Sequence, residues 1–222
     1  IATASYDTKK NLWTVQTVQG EAFQATFLIT AVGCLSSTNI PDIPGLEGFK
    51  GNWYHTGEWP HEGVDFSGKK VGLIGTGSTG IQATPIIAEQ AEKLTIFQRT
   101  PNFSVPAHNG PLSEEFKRYV KKNRSEIREL MHKSTNGHPF LIDDRSVLET
   151  PPEERQALFE KAWEIGGLRF RAIFKDLLFD KDANEMAVEF IRSKIKKIVK
   201  DPKTAEKLTN FDHPFAAKRP PI

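Results

Sequence analysis

Apolar positions follow several rhythms along this 222-residue chain. In residues 1–33, runs rich in Val, Thr, Phe and Ile (1–6, 12–18 and 22–31) alternate with Asp7-Thr8-Lys9-Lys10-Asn11 and Gln19-Gly20. Short β-formers separated by turn residues predict a small antiparallel meander. Its last strand, residues 27–33, is expected to enter a core. Residues 34–68 have poor periodicity and many prolines and glycines, with Ile40-Pro41-Asp42-Ile43-Pro44-Gly45 at their centre. They read as an irregular connection. Val71-Gly72-Leu73-Ile74-Gly75 is a short apolar run of the kind found in buried parallel strands. Helix is expected from Thr79 to Gln90 and a second parallel strand over Leu94-Thr95-Ile96-Phe97. Together they form a βαβ unit of about 30 residues.

From residue 112 to 208 the spacing becomes helical. Phe116, Tyr119, Val120, Ile127, Leu130 and Met131 keep helix periodicity after a Ser113 cap. Thr150-Pro151-Pro152-Glu153 reads as a capping box with prolines in the first turn, and Gly166-Gly167 as the stop of that helix. Asp182 and Glu185 open another, and Asp201-Pro202 starts a short last one. The aliphatic and aromatic stripes of these helices read as core, and the Lys194–Lys200 charges as a solvated face. The expected class is therefore α/β. The predicted organisation is a strand-rich piece (1–33), a linker (34–68), a Rossmann-like βαβ (69–111), a helical insertion (112–208) and a return segment (209–222).

Charge changes this picture little. Thirty basic and 28 acidic residues are nearly balanced, which gives no reason to expect nucleic acid or a membrane surface as partner. No apolar stretch approaches the roughly 20 residues of a membrane span, and no signal peptide is visible. The single cysteine, Cys34, allows no internal disulfide or CxxC pair, so a reducing cytoplasm is the expected setting. His132 and His138 lack partners at metal spacing, and no metal site is expected. The chain opens on Ile1 without a methionine and closes on Lys218-Arg219-Pro220-Pro221-Ile222; an internal piece of a longer protein is the expectation.

Chemistry concentrates in Gly75-Thr76-Gly77-Ser78-Thr79-Gly80. This GxGxxG lies between an apolar strand and a helix, with a second strand at the correct distance. The first glycine permits the tight turn, the second lets backbone approach a pyrophosphate, and the third lets helix and strand pack closely. The helix N-terminus then presents unpaired N–H groups and a positive dipole end. NAD sites usually place an acidic residue at the end of the second strand. Here Gln98-Arg99-Thr100 stands there. A guanidinium binds a 2′-phosphate that a carboxylate would repel, so the residues favour NADPH over NADH.

A second motif precedes the loop: Phe49-Lys50-Gly51-Asn52-Trp53-Tyr54-His55-Thr56-Gly57-Glu58-Trp59-Pro60, or F-x-G-x-x-x-H-x-x-x-W-P. It resembles the fingerprint of type I Baeyer–Villiger monooxygenases, in the flavin-containing monooxygenase superfamily, and the resemblance extends over essentially the whole chain. It implies an FAD- and NADPH-dependent enzyme that uses molecular oxygen to turn ketones into esters or lactones through a peroxyflavin. It implies that residues 1–33 belong to an incomplete FAD-binding domain and that His55 and Trp59 act as linker and cofactor-positioning residues. It implies that Gln82 joins the residues of the loop in holding the cofactor, that Lys218 joins Arg99 and Thr100 around the 2′-phosphate, and that Arg219 stabilises a peroxide anion over the flavin. From chemistry alone, Lys218-Arg219 is surface charge and His55 beside aromatics is structural. No upstream FAD-binding GxGxxG occurs in these 222 residues, so the chain alone is expected to bind NADP(H) weakly at most, without holding FAD or turning over ketone. Two other readings stay open: an N- or S-oxygenating flavin monooxygenase, from which Trp59-Pro60 and the helical insertion differ, and a non-catalytic NADP-binding module.

Overall fold

The computed structural model describes residues 1–33, 35–209 and 212–216. It divides into two compact units, Ile1–Val64 and Asp65–Ile222.

The first unit holds three antiparallel strands in sequential order: β1 (Thr3–Asp7), β2 (Leu12–Gln16) and β3 (Ala22–Ala25). The first turn is held by Asp7, whose Oδ1 accepts from the N–H groups of Lys9 and Lys10 at 2.9 and 3.1 Å. Tyr6 faces Trp13 across the β1–β2 register, with ring centroids 5.2 Å apart. The third strand is shorter than its composition suggests. Residues 27–33 are not paired with another strand, and Phe27 and Ile29 are 83% and 86% exposed. β-propensity is context-dependent, and a strand forms only where a neighbour takes its backbone hydrogen bonds; no described residue offers that here. After two short 3₁₀ turns, Leu46–Gly48 and Thr56–Glu58, the rest of this unit is irregular.

The second unit begins with β4 (Lys70–Ile74), α1 (Ser78–Gln90) and β5 (Lys93–Phe97). β4 and β5 are parallel, in register from Lys70↔Lys93 to Ile74↔Phe97. Helices α2 (Glu114–Lys122), α3 (Arg124–Lys133), α4 (Pro152–Ile165), α5 (Lys181–Ile198) and α6 (Pro202–Thr209) follow. The apolar centre of the unit lies here. Phe159, Phe170, Phe174, Leu177, Val188 and Ile191 are buried together with Phe103 from the segment after β5. Phe159 stacks on Phe190 at 5.1 Å, in the range where aromatic pairs add to simple burial. No helix among the described residues is long and apolar enough to cross a membrane.

Other local expectations also needed correction. β4 is not buried, with Ile74 73% exposed, because among the described residues only β5 and α1 flank it. Lys194 is not on a solvated face but lies over the Trp163 and Phe190 rings and pairs with Glu160. Phe116, Tyr119, Val120 and Met131 are exposed rather than core, because periodicity marks an apolar face without supplying a neighbour for it. Thr150 does not cap α4: its hydroxyl is buried and donates to the Ser146 carbonyl at 2.6 Å. The cap of α5 is Asp180, two residues before Asp182, with Oδ1 accepting from Asp182 and Ala183 N–H at 2.9 Å each. Ser113 caps α2 as anticipated, accepting from Phe116 N–H. Gly166 stops α4 at φ 72°; a Cβ there would lie 2.3 Å from the Pro106 carbonyl oxygen.

Candidate nucleotide-binding site

The glycine loop joins the end of β4 to the start of α1. Gly75 has φ +101°, a left-handed conformation that side chains rarely adopt. Its N–H donates to the Phe97 carbonyl at 2.9 Å, carrying the parallel ladder into the loop. Gly80 lies on the first turn of α1, and a Cβ on it would sit 2.4 Å from the Gly75 oxygen. Helix and strand therefore approach as closely as they do only because no side chain intervenes. Gly77 differs. It caps α1 in extended conformation, and a Cβ on it would meet nothing within 4 Å. The space a side chain would take there is open.

The electrostatics agree. The N–H groups of a helix's first turn have no carbonyl to bond within the helix. In α2, α3, α4 and α5 that turn carries an acidic residue, and at α6 the Asp201 carboxylate accepts from Thr204 N–H at 2.8 Å. The α1 turn has neither an acidic residue nor a side-chain cap. This helix start thus carries no acidic side chain of its own, whereas the other described α-helices have an acidic group near their starts.

Ser78, Thr79 and Gln82 follow on α1, with Thr79 and Gln82 exposed and Ser78 partly buried. Arg99 is exposed just past β5, and Thr100 beside it is partly buried. The sequence reading passed over Gln98, whose Nε2 donates to Thr76 Oγ1 at 3.0 Å. That bond ties the residue preceding Arg99 to the glycine loop. The available signal was its position, where the strand meets the loop. Lys218 and Arg219 lie outside the described residues.

His55 and Trp59 belong to the other unit. His55 Nδ1 accepts from Gly57 N–H at 3.1 Å and so caps the 3₁₀ turn Thr56–Glu58. With Nδ1 an acceptor, the ring proton of the neutral imidazole is on Nε2, which is left as a donor. The Thr38 hydroxyl donates to the Glu58 carboxylate, and a Cβ on Gly57 would lie 2.5 Å from the Thr38 methyl. A Cβ on Gly51 would lie 2.8 Å from the Phe49 ring, so the F-x-G spacing records a ring folded over a glycine. Trp59 and Tyr54 are tilted neighbours, with centroids 5.9 Å apart.

The family described as pyridine nucleotide-disulphide oxidoreductase matches residues 2–139. A Baeyer–Villiger monooxygenase of Pseudooceanicola batsensis is 43% identical over 219 residues, covering 98% of this chain and 40% of that protein. The phenazine N-monooxygenase PhzNO1 of Lysobacter antibioticus is also 43% identical, over 99% of this chain and 40% of its own. Among solved structures, OTEMO in complex with FAD and NADP superposes with a TM-score of 0.89 at 39% identity, covering 100% of this chain and 42% of that one. The chain spans about two fifths of the length of the curated relatives it matches. With a parallel βαβ whose glycine loop packs helix closely on strand and a family match over more than half its length, the chain belongs to the pyridine nucleotide-disulphide oxidoreductase family.

Proposed function

We propose that this chain is the NADPH-binding part of a flavin-dependent monooxygenase of Baeyer–Villiger type, which inserts one atom of molecular oxygen into a ketone to give an ester or lactone. The observation that carries the reading is the loop from Gly75 to Gly80. It is tight where helix meets strand, open at Gly77, and leads into a helix whose first turn carries no acidic residue. A diphosphate fits that arrangement. Arg99, with Lys218 and Thr100, would hold the 2′-phosphate of NADPH in charge-assisted hydrogen bonds.

The remaining roles follow from the relatives. FAD would supply the activation of oxygen when bound, in a protein of the length the relatives have. Arg219 would provide a permanent cation beside the charge that develops during oxygen transfer. His55, offering Nε2–H from a capped turn, and Trp59 would orient the nicotinamide nucleotide rather than exchange protons with substrate. The domain boundaries read from the sequence are part of the same proposal. A reducing cytoplasm with its NADPH supply suits this chemistry.

A second reading has a specific observation behind it: the N-monooxygenase relative is as similar as the Baeyer–Villiger one. Assays of the intact enzyme carrying this chain separate them. With NADPH, FAD and ¹⁸O₂, a cyclic ketone is expected to yield a labelled lactone. Labelled N-oxide from an aromatic amine, with no lactone from ketones, would establish the second reading. NADPH oxidation without any oxygenated product would make the chain a binding module.

A further inference from the structure

We propose that Gln98 is a positioning residue for the diphosphate of the nicotinamide nucleotide, acting by holding the Thr76 hydroxyl as an outward donor. The inference rests on the nucleotide-site reading above. A hydroxyl has one proton and two acceptor lone pairs. Thr76 Oγ1 accepts from Gln98 Nε2 at 3.0 Å, so one lone pair is engaged and the O–H is free to turn away from Gln98. Thr76 lies between Gly75, whose N–H is fixed on the Phe97 carbonyl at 2.9 Å, and Gly77, beside which the space is open. Two adjacent residues of β5 and its end, Phe97 by main chain and Gln98 by side chain, thus grip two adjacent residues of the loop.

The consequence is a division of labour within Gln98-Arg99. Arg99 reads the 2′-phosphate through its guanidinium, whereas Gln98 works on the other phosphate group through Thr76. A hydrogen bond to a charged group contributes about 1.5–3 kcal/mol, so misdirecting the hydroxyl costs about tenfold to a hundredfold in affinity.

The test is calorimetric titration of the wild-type chain, Gln98→Met, Thr76→Val, Thr76→Ser and Gln98→Met/Thr76→Val. The ligands are NADP⁺ and adenosine 2′-phosphate, which carries the 2′-phosphate and no diphosphate. Gln98→Met and Thr76→Val are each expected to weaken NADP⁺ about tenfold or more. Thr76→Ser is expected to retain wild-type affinity, and the double variant to be no weaker than the worse single one. Adenosine 2′-phosphate should bind all variants equally. A purely structural clasp would lower the melting temperature and weaken both ligands alike. That result overturns the proposal, as do Gln98→Met with wild-type NADP⁺ affinity and a double variant showing additive losses. A wild-type chain that binds neither ligand overturns the nucleotide-site reading and the clasp with it; one that binds both, with variants unchanged, overturns the clasp alone.

Discussion

Alanine at position 80 places a methyl carbon 2.4 Å from the Gly75 oxygen and 3.2 Å from its carbonyl carbon. Ordinary contact begins at 3.4 Å, so the overlap is roughly 1 Å. Neither side yields easily. Gly75 is held by the Phe97 carbonyl at 2.9 Å and already sits at φ +101°, while Gly80 is inside α1. The helix start must slide away from β4. Overpacking of this kind costs about 1–3 kcal/mol, and alanine's better helix propensity returns up to about 1 kcal/mol. The middle of both ranges leaves a net loss of about 1.5 kcal/mol, which lowers the melting temperature of a chain this size by roughly 3–6 °C. The displaced first turn also loses aim on a bound diphosphate, and a tenfold or greater loss of NADP⁺ affinity is expected. Gly77→Ala is the control. Its Cβ meets nothing within 4 Å at a backbone conformation alanine adopts, so thermal stability is unchanged, yet the methyl occupies the space the phosphates need and affinity falls similarly. Differential scanning calorimetry and titration with NADP⁺ check both. An unchanged melting temperature for Gly80→Ala would refute the close-packing argument. Undiminished affinity for Gly77→Ala would refute the cradle.

Other expectations follow from the helical part. Asn184 is buried; its Nδ2 donates to the Leu177 and Phe215 carbonyls at 2.7 and 3.0 Å, and its Oδ1 accepts from Phe215 N–H at 2.8 Å. Asn184→Leu strands buried backbone groups at about 1–3 kcal/mol each, so the melting temperature drops by several degrees, and Asn184→Asp, lacking the amide donor, does not restore it. Asp143 is held at about 2, below the usual 3.8, first by the hydrogen bond from the Arg145 side chain and then by Arg145 N–H. Its folded-state value is depressed, so this contribution is present above pH 3.8 and is lost as pH falls toward 2. Acid unfolding monitored by circular dichroism should show Arg145→Met losing less stability than wild type across that window, by a small amount because the pair is partly solvated. The 222-residue chain purified alone should carry no flavin absorbance; a stoichiometric flavin spectrum would contradict the assignment of its phosphate loop to NADPH.

How much of this was readable in advance depends on the kind of signal. The parallel pairing of the βαβ unit was legible because its determinants are local, whereas the expected burial was not met: Ile74 is 73% and Phe97 56% exposed. Val71-Gly72-Leu73-Ile74 is too short and too apolar for a surface helix, and the glycines that follow have conformational roles that few other residues fill. Residues 27–33 have the same apolar character, yet extend unpaired, since pairing is a property of a neighbour rather than of the strand. The Phe116–Met131 stripe failed for the same reason. Caps were misread where two candidates stood close together: Asp180 precedes Asp182, and Thr150 found a carbonyl four residues back before it could serve the helix. At the site, the glycine roles could be read directly. The Gln98–Thr76 bond could not, because it joins residues 22 apart through side chains whose meeting depends on strand register. His55 was legible as part of a motif, but its work as a cap on Gly57 appears only in the folded turn.

The central claim is that the loop and the cation after β5 together hold a phosphorylated nicotinamide nucleotide. Titrating the wild-type chain and Arg99→Ala with NADP⁺ and NAD⁺ tests it most directly. Saturable binding of one NADP⁺ is expected, at least about tenfold tighter than NAD⁺, with the preference sharply reduced in Arg99→Ala, where Lys218 and Thr100 remain, and NAD⁺ affinity unaltered. Equal affinity of the wild-type chain for the two nucleotides, or a preference undiminished by loss of the guanidinium, would contradict it.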